Sequence, residues 1–260
     1  MLDEITPVLL TLNEAPNIGR TLSRLTWAKD IVVVDSGSTD ATLSILKQYS
    51  QVRIFTRLFD THCEQWEFAT RKTKIGTSWI LRLDADYQLS DEFIAELRHL
   101  DTRAPFSAYL AAFDYAIFSK KLISSLYPPN TILLKKDCFT LWDNGHTEAW
   151  KINGVVGVLK SRVVHDDWKS VEHWLKAQAH YMRRELAKIS AKPRGLRDWL
   201  RLHPPLMPIA VFFYCLFIKG LILDGSAGLF YTFQRTLAEA ILSLMLIEER
   251  LQTKALSKDE

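Results

Sequence analysis

Short apolar runs alternate with helical patterns through the first hundred residues, and this alternation constrains the fold more than any other feature. Apolar runs at residues 8–12 and 31–34 have the length of strands, and the second is entirely β-branched; residues 52–55 and 79–83 look like a third and a fourth strand. Helical patterns lie between them at residues 18–25, 38–49 and 64–74. Strands that alternate with helices in this way predict an α/β fold, in which helices cover both faces of a parallel sheet.

Polar residues follow three of these four predicted strands. The three clusters are Thr11, Asn13 and Glu14, then Asp35, Ser36, Gly37 and Ser38, and finally Asp84 and Asp86 around Ala85. A single Asp at a strand end is often only a turn residue or a helix cap. Because such sheets bind ligands beyond the carboxyl ends of their strands, three clusters at one edge predict a ligand site there.

Asp84 and Asp86 are separated by one residue, so both carboxylates can face one hard divalent cation such as Mg²⁺ or Mn²⁺. A surface turn with two solvated aspartates is the alternative reading of so short a motif. The ten glycines form neither GxGxxG nor GxxxxGK[ST], which argues against a nicotinamide dehydrogenase and a P-loop kinase. A metal-bridged diphosphate remains as the way for this sheet to hold a nucleotide.

The pattern changes beyond residue 90. A helix is expected over residues 90–100, and strands over 108–118, 131–135 and 155–164 predict hairpins or mixed sheet. The chain then becomes helical and basic, with nine Lys or Arg against three acids over residues 169–201. An apolar stretch at 206–218 and a last helical pattern at 229–251 follow. We expect a catalytic domain over residues 1–166 and a helical appendage over residues 167–260.

Composition and charge narrow the class of protein. The 260 residues are 48% hydrophobic and 24% charged, which is typical of a folded globular chain, and the net charge of +3 is too small to indicate a nucleic-acid partner. Three well-separated cysteines are interpreted as buried thiols of a reducing compartment. The first four residues are acidic where a secretion signal would be basic. These features predict a cytoplasmic protein.

Three stretches of the chain resemble the family-2 glycosyltransferases of GT-A fold. They are Thr11-Leu12-Asn13-Glu14 followed by Asn17-Ile18, the run of residues 31–42, and Leu83-Asp84-Ala85-Asp86. The resemblance is strong over residues 5–90, weaker through His165, and most similar to bacterial enzymes of the lipopolysaccharide-core and envelope polysaccharide type. It implies a Rossmann-like, mostly parallel mixed sheet flanked by helices. It also implies inverting transfer from a nucleotide sugar, usually a UDP-sugar, to a hydroxyl of a glycan or glycolipid.

The resemblance also implies roles for individual residues. Thr11, Leu12, Asn13 and Glu14 would contact the nucleoside, Asp35 and Ser36 would hold the base or ribose, and Ala85 would line the donor site. Asp84 would face the ribose or the metal, and Asp86 would bind Mn²⁺ or Mg²⁺ directly. His165 would complete the metal or diphosphate site. Its alternative is an ordinary residue at the edge of the core, with Asp166 or Asp167 capping the next helix.

Two aspects of the resemblance stay open at this point. Where relatives carry a basic residue and an Asn before the fourth strand, this chain has Trp66 and Glu67, which puts the donor in doubt; Arg71 is the candidate for the missing positive charge. The general base that accepts the proton of the acceptor hydroxyl is either Asp143 or Glu148.

Two further alternatives concern the whole protein. A relative that binds a nucleotide sugar or a partner without catalysis is the second functional hypothesis, motivated by Trp66 and Glu67. A nucleotidyltransferase is disfavoured because residues 7–20 lack a glycine-rich basic loop. The apolar stretch beside the basic region predicts attachment to an anionic membrane surface, on the inner face of the cytoplasmic membrane, with a lipid-linked acceptor. A helical hairpin packed on itself or on another subunit is the alternative.

Overall fold

The computed structural model describes residues 1–101, 103–143, 148–191 and 195–256. The chain divides into two compact units. Unit 1 comprises Met1–Lys121 and Leu126–Lys169, and unit 2 comprises Leu122–Ser125 and Ser170–Glu260. This division falls three residues after the boundary expected at Asp166, because Asp167 and Lys169 bond to side chains of unit 1. The short insertion of residues 122–125 into unit 2 has no counterpart in the sequence-based division.

The described part of unit 1 contains thirteen strands and four α-helices. The strands are β1 (Ile5–Thr11), β2 (Ile31–Asp35), β3 (Val52–Thr56), β4 (Trp79–Asp84), β5 (Tyr87–Leu89), β6 (Phe106–Ala111), β7 (Phe113–Ile117), β8 (Lys120–Lys121), β9 (Asn130–Lys135), β10 (Phe139–Asp143), β11 (Glu148–Ile152), β12 (Val155–Val158) and β13 (Val163–His165). The helices are α1 (Ile18–Ser23), α2 (Thr42–Leu46), α3 (His62–Arg71) and α4 (Asp91–His99), and a 3-10 turn covers Leu2–Glu4.

The main sheet has the strand order β12-β6-β9-β4-β1-β2-β3 in the described residues. β1 to β4 are parallel, and β9 is antiparallel to both of its neighbours. The predicted mixed, mostly parallel sheet flanked by helices is therefore confirmed. The chain runs from β1 outward to β3 and returns to β4 on the other side of β1, so the strand order reverses between β1 and β4. Crevices at such a reversal are where open α/β sheets bind ligands.

The two faces of the main sheet are covered by different elements. Alternate residues of each strand point to opposite faces, so Leu9 packs with the helical residues Ile18 and Leu22, whereas Val8 packs with Trp66 and Ala69 of α3. The return crossover from β3 to β4 explains why α3 lies on the face opposite α1 and α2. Because β1, β2 and β4 are buried on both faces, their sequences are mostly apolar rather than alternating, with Thr6 and Arg82 as buried polar exceptions.

Several elements differ from their sequence-based bounds. Residues 108–118 form two strands, β6 and β7, and residues 155–164 form β12 and β13, with each pair divided between two sheets. The second break is fixed by Glu96, whose carboxylate accepts hydrogen bonds from the backbone N–H groups of Lys160 and Ser161. Cys215 is buried as predicted, but Cys63 and Cys138 are partly exposed.

Unit 2 is helical in the residues that are described. Its helices are α5 (Val171–Ala191), α6 (Gly195–Arg201), α7 (Leu206–Phe213) and α8 (Ser226–Leu256), with a π-helical turn at Tyr214–Ile218 and a 3-10 turn at Leu221–Asp224. The buried Arg201 of α6 pairs with Glu239 of α8 at 2.6 Å and with Glu185 of α5 at 3.1 Å. None of the described helices is both long and apolar enough to span a bilayer.

Candidate functional site

Asp35, the last residue of β2, is a buried carboxylate that holds the following loop together. Its Oδ1 accepts hydrogen bonds from the backbone N–H groups of Gly37 and Ser38, at 3.0 and 2.8 Å. Its Oδ2 accepts the hydroxyls of Thr11 and Ser38, at 2.9 and 2.6 Å. A carboxylate offers about four lone pairs, so the chain itself uses all of them. Asp35 therefore shapes the loop, and the expected direct contact with base or ribose would require these bonds to exchange.

The residues after β1 interlock with this loop. Asn13 adopts a left-handed backbone conformation with φ 55°, which Asn tolerates better than most residues. Its side-chain oxygen accepts the backbone N–H of Thr39 at 2.8 Å, and its own N–H donates to the Ser38 hydroxyl at 2.8 Å. The structure thus brings together the two predicted nucleoside segments, while Leu12 leaves 45% of its surface exposed between them.

A residue that sequence reasoning missed, Gln65 of α3, joins the same edge. Its buried amide donates to the Ser36 hydroxyl and to the carbonyl of Arg57, both at 2.8 Å, and its oxygen accepts from the Arg57 guanidinium at 2.8 Å. Arg57 directly follows β3 and donates its backbone N–H to the carbonyl of Asp35. The guanidinium of Arg57 also pairs with the Asp60 carboxylate at 2.7 Å, so its charge is balanced within the chain. Arg57 and Gln65 therefore support the loop after β2, from positions that carried no motif.

The Asp84-Ala85-Asp86 turn follows β4 on the other side of β1, where Leu10 and Asp84 are register partners. The carbonyl of Ala85 accepts the Thr21 hydroxyl at 2.6 Å, and the carbonyl of Asp86 accepts the backbone N–H of Asp166 at 3.1 Å. The turn is thus fixed from two sides by its backbone.

Asp86 and His165 form a buried pair at this turn. Oδ2 of Asp86 lies 3.1 Å from Nε2 of His165, and each side chain is 13% exposed. Burial opposes ionisation of both groups, but their mutual attraction lowers the pKa of Asp86 and raises the pKa of His165. Oδ1 of Asp86 and Nδ1 of His165 have no hydrogen-bond partner among the described residues. A buried carboxylate oxygen without a partner is costly unless a ligand uses it.

Three tyrosine rings surround His165. Its ring centroid lies 4.5 Å from that of Tyr127, 4.7 Å from that of Tyr115 and 5.4 Å from that of Tyr87. The hydroxyls of Tyr87 and Tyr127 are 2.5 Å apart. Burial, with the nearby charge of Asp84, raises the pKa of both phenols, so they stay protonated. The rings fix the orientation of the imidazole.

The segment after β13 adds charges that the sequence did not assign to the site. Lys169 donates to Glu14 at 2.6 Å, and Asn17 donates to Glu14 at 2.9 Å and to Asp167 at 2.8 Å. Burial raises the pKa of Glu14 to about 7, against the lowering effect of Lys169. Burial opposes the charge of Lys169, but Glu14, Asp167 and Asp86 together raise its pKa. Lys169 therefore keeps a positive charge close to Asp86.

Asp166 and Trp168, in the same segment, both contact Arg20 of α1. Arg20 donates to the Asp166 carboxylate at 2.7 Å, and its guanidinium lies 4.3 Å from the centre of the Trp168 ring. The Trp168 indole N–H also donates to Asp166. Neither Asp166 nor Asp167 caps α5, because Ser170 accepts the N–H of His173 instead. The capping alternative stated for these aspartates is therefore wrong.

Arg71 does not lie at this edge. Its guanidinium bonds to Asp137 at 2.5 Å and to the carbonyl of Phe139 at 3.0 Å. Both residues come soon after Lys135, which pairs with Trp79 at the amino end of β4. Because α3 runs antiparallel to the strands, its last residue falls at the end of the sheet opposite the Asp84-Ala85-Asp86 turn. The suggestion that Arg71 supplies positive charge there is corrected accordingly.

The two unusual residues of α3 also have structural roles. Trp66 is buried, and its ring contacts that of Trp150 with 5.7 Å between the centroids. The guanidinium of Arg82 packs against both rings, at 5.5 and 5.2 Å from the two centroids. Glu67 lies 3.9 Å from Arg71. The carboxylate of Glu67 thus faces a cation.

The two candidate bases lie on the β10–β11 hairpin, where Asp143 and Glu148 are register partners. Their side chains, and the loop between them, are outside the described residues. The choice between these two carboxylates stays a prediction.

The donor set at Asp86 fits a cation shared with a ligand. Within the described residues, no group of three or more His, Cys, Asp or Glu side chains is placed to hold a metal alone. The unpartnered Oδ1 of Asp86 and the neighbouring Asp84 match the one or two carboxylates that Mg²⁺ or Mn²⁺ uses when phosphates complete its shell.

A mixed, mostly parallel sheet flanked by helices, with polar loops where its strand order reverses, is the architecture of an α/β domain of the GT-A type. The chain belongs to the family described as glycosyl transferase family 2, whose profile matches residues 8–150. This assignment confirms the resemblance seen in the sequence.

Individual relatives match over shorter lengths. An uncharacterized glycosyltransferase of Rickettsia felis is 31% identical over 111 residues, 42% of this chain and 38% of that protein. The lipopolysaccharide core biosynthesis glycosyltransferase LpsC of Rhizobium meliloti is 30% identical over 93 residues, 34% of this chain and 33% of that protein. The chain thus spans about a third of the length of these curated relatives. S. aureus TarS in complex with UDP-GlcNAc is similar over 91% of this chain and 90% of that chain, with a TM-score of 0.48 and 12% identity.

Proposed function

We propose that the protein transfers a sugar from a nucleotide-sugar donor, with a UDP-sugar as the first candidate, to a hydroxyl of a glycan or glycolipid. The observation that carries this proposal is the unpartnered, buried oxygen of Asp86 at the point where the strand order reverses. Membership of glycosyl transferase family 2 supports the reaction class. The lipopolysaccharide core role in the name of LpsC supports an acceptor from the cell envelope.

The donor would lie along the carboxyl ends of β1, β2 and β4. Thr11, Leu12, Asn13, Glu14 and Ser36 would contact the nucleoside, with Asp35 holding their loop in shape. The half-exposed Leu12 offers an apolar surface for a base. Gln65 and Arg57 would support the Ser36 side of this pocket.

The diphosphate would lie at the Asp84-Ala85-Asp86 turn. Asp86 and Asp84 would hold Mn²⁺ or Mg²⁺ together with the phosphates of the donor, and His165, which pairs with Asp86, would complete the diphosphate side of the site. When bound, the metal offsets the negative charge of the leaving diphosphate. The protein contributes the positive charge of Lys169 close to Asp86, and the fixed ring of His165. Because these groups are buried and held by the fold, they stabilise developing charge without rearranging.

The transfer is a single displacement with inversion. The acceptor oxygen forms a bond to the anomeric carbon while the bond from that carbon to the diphosphate oxygen breaks, and the electron pair leaves with the diphosphate. Asp143 or Glu148 accepts the proton of the acceptor hydroxyl. Peripheral attachment to the inner face of the cytoplasmic membrane would give access to a lipid-linked acceptor.

Isothermal titration calorimetry with UDP, with and without Mn²⁺ or Mg²⁺, tests the donor site. A panel of UDP-sugars assayed for release of UDP with glycan and glycolipid acceptors tests the reaction. We expect UDP binding that requires a divalent ion, and acceptor-dependent release of UDP. Absence of UDP binding with every ion would overturn the donor assignment.

Binding without release would favour the non-catalytic alternative. Trp66 and Glu67, which motivated that alternative, have structural contacts with Arg82 and Arg71, and the UDP-sugar assay decides between the two hypotheses.

A further inference from the structure

Unit 2 exposes apolar side chains almost without polar ones over a long part of the chain. Between residues 205 and 247 the sequence has four charged residues, which are Lys219, Asp224, Arg235 and Glu239. Asp224 and Glu239 are buried, and Lys219 and Arg235 are half-buried. Asp224 accepts the N–H of Ile123, and Glu239 pairs with Arg201. The charged side chains of this stretch are therefore buried or half-buried, whereas many of its large apolar side chains are exposed.

The outward residues of α8 form a single stripe. Successive members are three, four or seven residues apart, which places them on one side of an α-helix. They are Leu229, Phe233, Leu237, Leu244, Ile247 and Leu251. The opposite side of α8 is buried against the other helices of unit 2, through Ala238, Leu242 and Leu246. The helix thus has an apolar core side and a second apolar side with nothing packed on it in the described residues.

The same surface continues onto α7 and the turns after it. Phe212 of α7 lies 6.1 Å from Phe233, between ring centroids, and Phe213 stacks on Phe217 at 6.0 Å. Phe217 is 59% exposed and Leu223 is 78% exposed. We call this surface the apolar face; it comprises the α8 stripe with Leu206, Ile209, Phe213, Phe217, Ile218, Ile222 and Leu223. Monomeric soluble proteins rarely expose an apolar patch of this extent.

Amphipathic and basic residues accompany the apolar face. The ammonium of Lys219 lies 5.8 Å from the centre of the half-exposed Tyr214 ring. Trp199 of α6 is half-exposed and lies 4.4 Å from the His203 ring, and Arg250 bonds to the carbonyl of Leu202. Tyr and Trp have one apolar and one polar part, which suits a boundary between hydrocarbon and water. Lys169 bonds to Glu14 in unit 1, and the buried Arg201 pairs with Glu239. Between them, residues 170–200 carry seven Lys or Arg against three acids.

We infer that the apolar face inserts into the interfacial layer of an anionic lipid bilayer, with the helices of unit 2 lying on the membrane rather than crossing it. Basic residues beside an apolar helix face attract anionic headgroups and add to the burial of apolar area. A second copy of this chain fits less well, because pairing two such faces would bring two basic segments together. Lipid headgroups offer the opposite charge.

This inference deepens the proposed function, and it rests on that function only for the lipid-linked acceptor that makes a membrane useful. Vesicle binding is measured without donor, and UDP binding is measured without vesicles. Failure of one therefore leaves the other measurement intact.

Flotation of the full chain with vesicles tests the inference. We expect binding to vesicles of phosphatidylethanolamine and phosphatidylglycerol, weaker binding to phosphatidylcholine vesicles, and a decrease with added salt. The variant with Phe217→Ser, Leu223→Ser and Phe233→Ser changes only outward residues. It should lower the vesicle partition coefficient at least about tenfold, since each substitution removes a large apolar side chain from the inserted surface.

The matched control is Val158→Ser, which changes a residue of β12 that is 71% exposed outside the apolar face. It should bind vesicles as the unchanged chain does. Circular dichroism and thermal unfolding establish whether both variants are folded. If the triple variant does not fold, the single variant Ile218→Ser replaces it, with a smaller expected decrease of the vesicle partition coefficient. Equal binding by the control and the folded face variants would overturn the inference.

Sedimentation equilibrium without lipid tests the alternative occupant of the apolar face, which is a second copy of this chain. A dimer that dissociates in the face variants, together with no vesicle binding by the unchanged chain, would show that a second copy covers the apolar face and would overturn the membrane assignment. A chain that stays monomeric and floats with anionic vesicles supports it.

Discussion

Asp35 and Asp86 lie at the carboxyl ends of β2 and β4, the two strands that flank β1. They differ in the hydrogen bonds that their side-chain oxygens accept. Asp35, the last residue of β2, accepts four hydrogen bonds from Thr11, Gly37 and Ser38, so its own chain uses both oxygens fully. Asp86, after β4, shares one oxygen with His165 and has no partner for the other among the described residues. The first carboxylate builds a loop, and the second keeps one buried oxygen for the ligand that we propose.

This difference separates a structural from a functional role where sequence position cannot. Both residues sit at strand ends on one edge of an α/β sheet, and both belong to motifs shared with glycosyltransferases. The use of their lone pairs distinguishes them, because a satisfied carboxylate adds to stability and an unsatisfied buried one subtracts from it. Substitutions at the two positions should therefore act on different measurable quantities.

The largest effect is expected for Asp86→Asn, which keeps the shape and an acceptor for His165 but removes the charge. Turnover of a UDP-sugar should fall about 100- to 1,000-fold, while the free energy of unfolding changes by about 1 kcal/mol or less. Steady-state assays and urea unfolding measure the two quantities. Turnover within threefold of the unchanged protein would remove the distinction between the two aspartates.

Asp35→Ala should act mainly on stability. Removing a buried acceptor of four hydrogen bonds leaves their donors without a partner, and we expect the free energy of unfolding to fall by about 3 kcal/mol. Asp35→Asn is the matched control and should lose less, because the hydroxyls of Thr11 and Ser38 can reverse direction and accept from the amide. Urea unfolding of both variants measures the difference. An Asp35→Ala protein of unchanged stability would contradict the loop-building role.

His165→Gln should give a pH-dependent loss of stability when a chelator keeps divalent ions away. The raised pKa of His165 means that its stabilising charge is fully present below about pH 6.5 and is lost as the pH rises through the folded-state pKa. The pair also needs the negative charge of Asp86, whose pKa is lowered. The stability that the pair contributes is therefore also lost at acid pH, as the pH falls through the pKa of Asp86.

The loss of unfolding free energy should therefore be greater at about pH 5.5 than at about pH 9. Urea titrations at both pH values measure it. Equal losses at both would show that the imidazole and Asp86 do not share a charge-dependent bond.

The smallest effect is expected for Arg71→Gln, at the other end of the sheet. Its partly exposed pair with Asp137 should contribute about 0.5 kcal/mol to stability, and the KM for the UDP-sugar should stay within about twofold. Kinetics with the unchanged protein as reference measure this. A tenfold rise in KM would return Arg71 to the donor edge and weaken the assignment of that role to Lys169.

The parallel half of the fold follows directly from local sequence patterns. β1, β2 and β4 are buried on both faces, so their apolar runs mark their positions, and polar clusters mark their carboxyl ends. The strands after residue 100 were harder to bound because their ends depend on distant partners. Residues 155–164 read as one strand, but Glu96 binds the backbone at Lys160 and Ser161 and divides the run between two sheets.

The candidate site shows the same limit. Asp84, Asp86 and Asp35 were found because they follow strands within recognisable motifs. Gln65 reads as an ordinary helical residue, and Lys169 as one of many basic residues. Only the fold brings Gln65 to Ser36 and Lys169 to Glu14, a residue 155 positions earlier in the chain. The sequence also placed Arg71 near the diphosphate, because spacing along a helix does not reveal which end of the sheet that helix end meets.

The backbone bonds around the Asp84-Ala85-Asp86 turn have a consequence for how a donor binds. Thr21 holds the carbonyl of Ala85, and the N–H of Asp166 holds the carbonyl of Asp86. A turn already fixed in this way loses little conformational entropy when a ligand arrives. We expect this part of the donor site to associate by simple encounter, at a rate set by diffusion and electrostatic attraction, with no slow ordering phase in stopped-flow measurements.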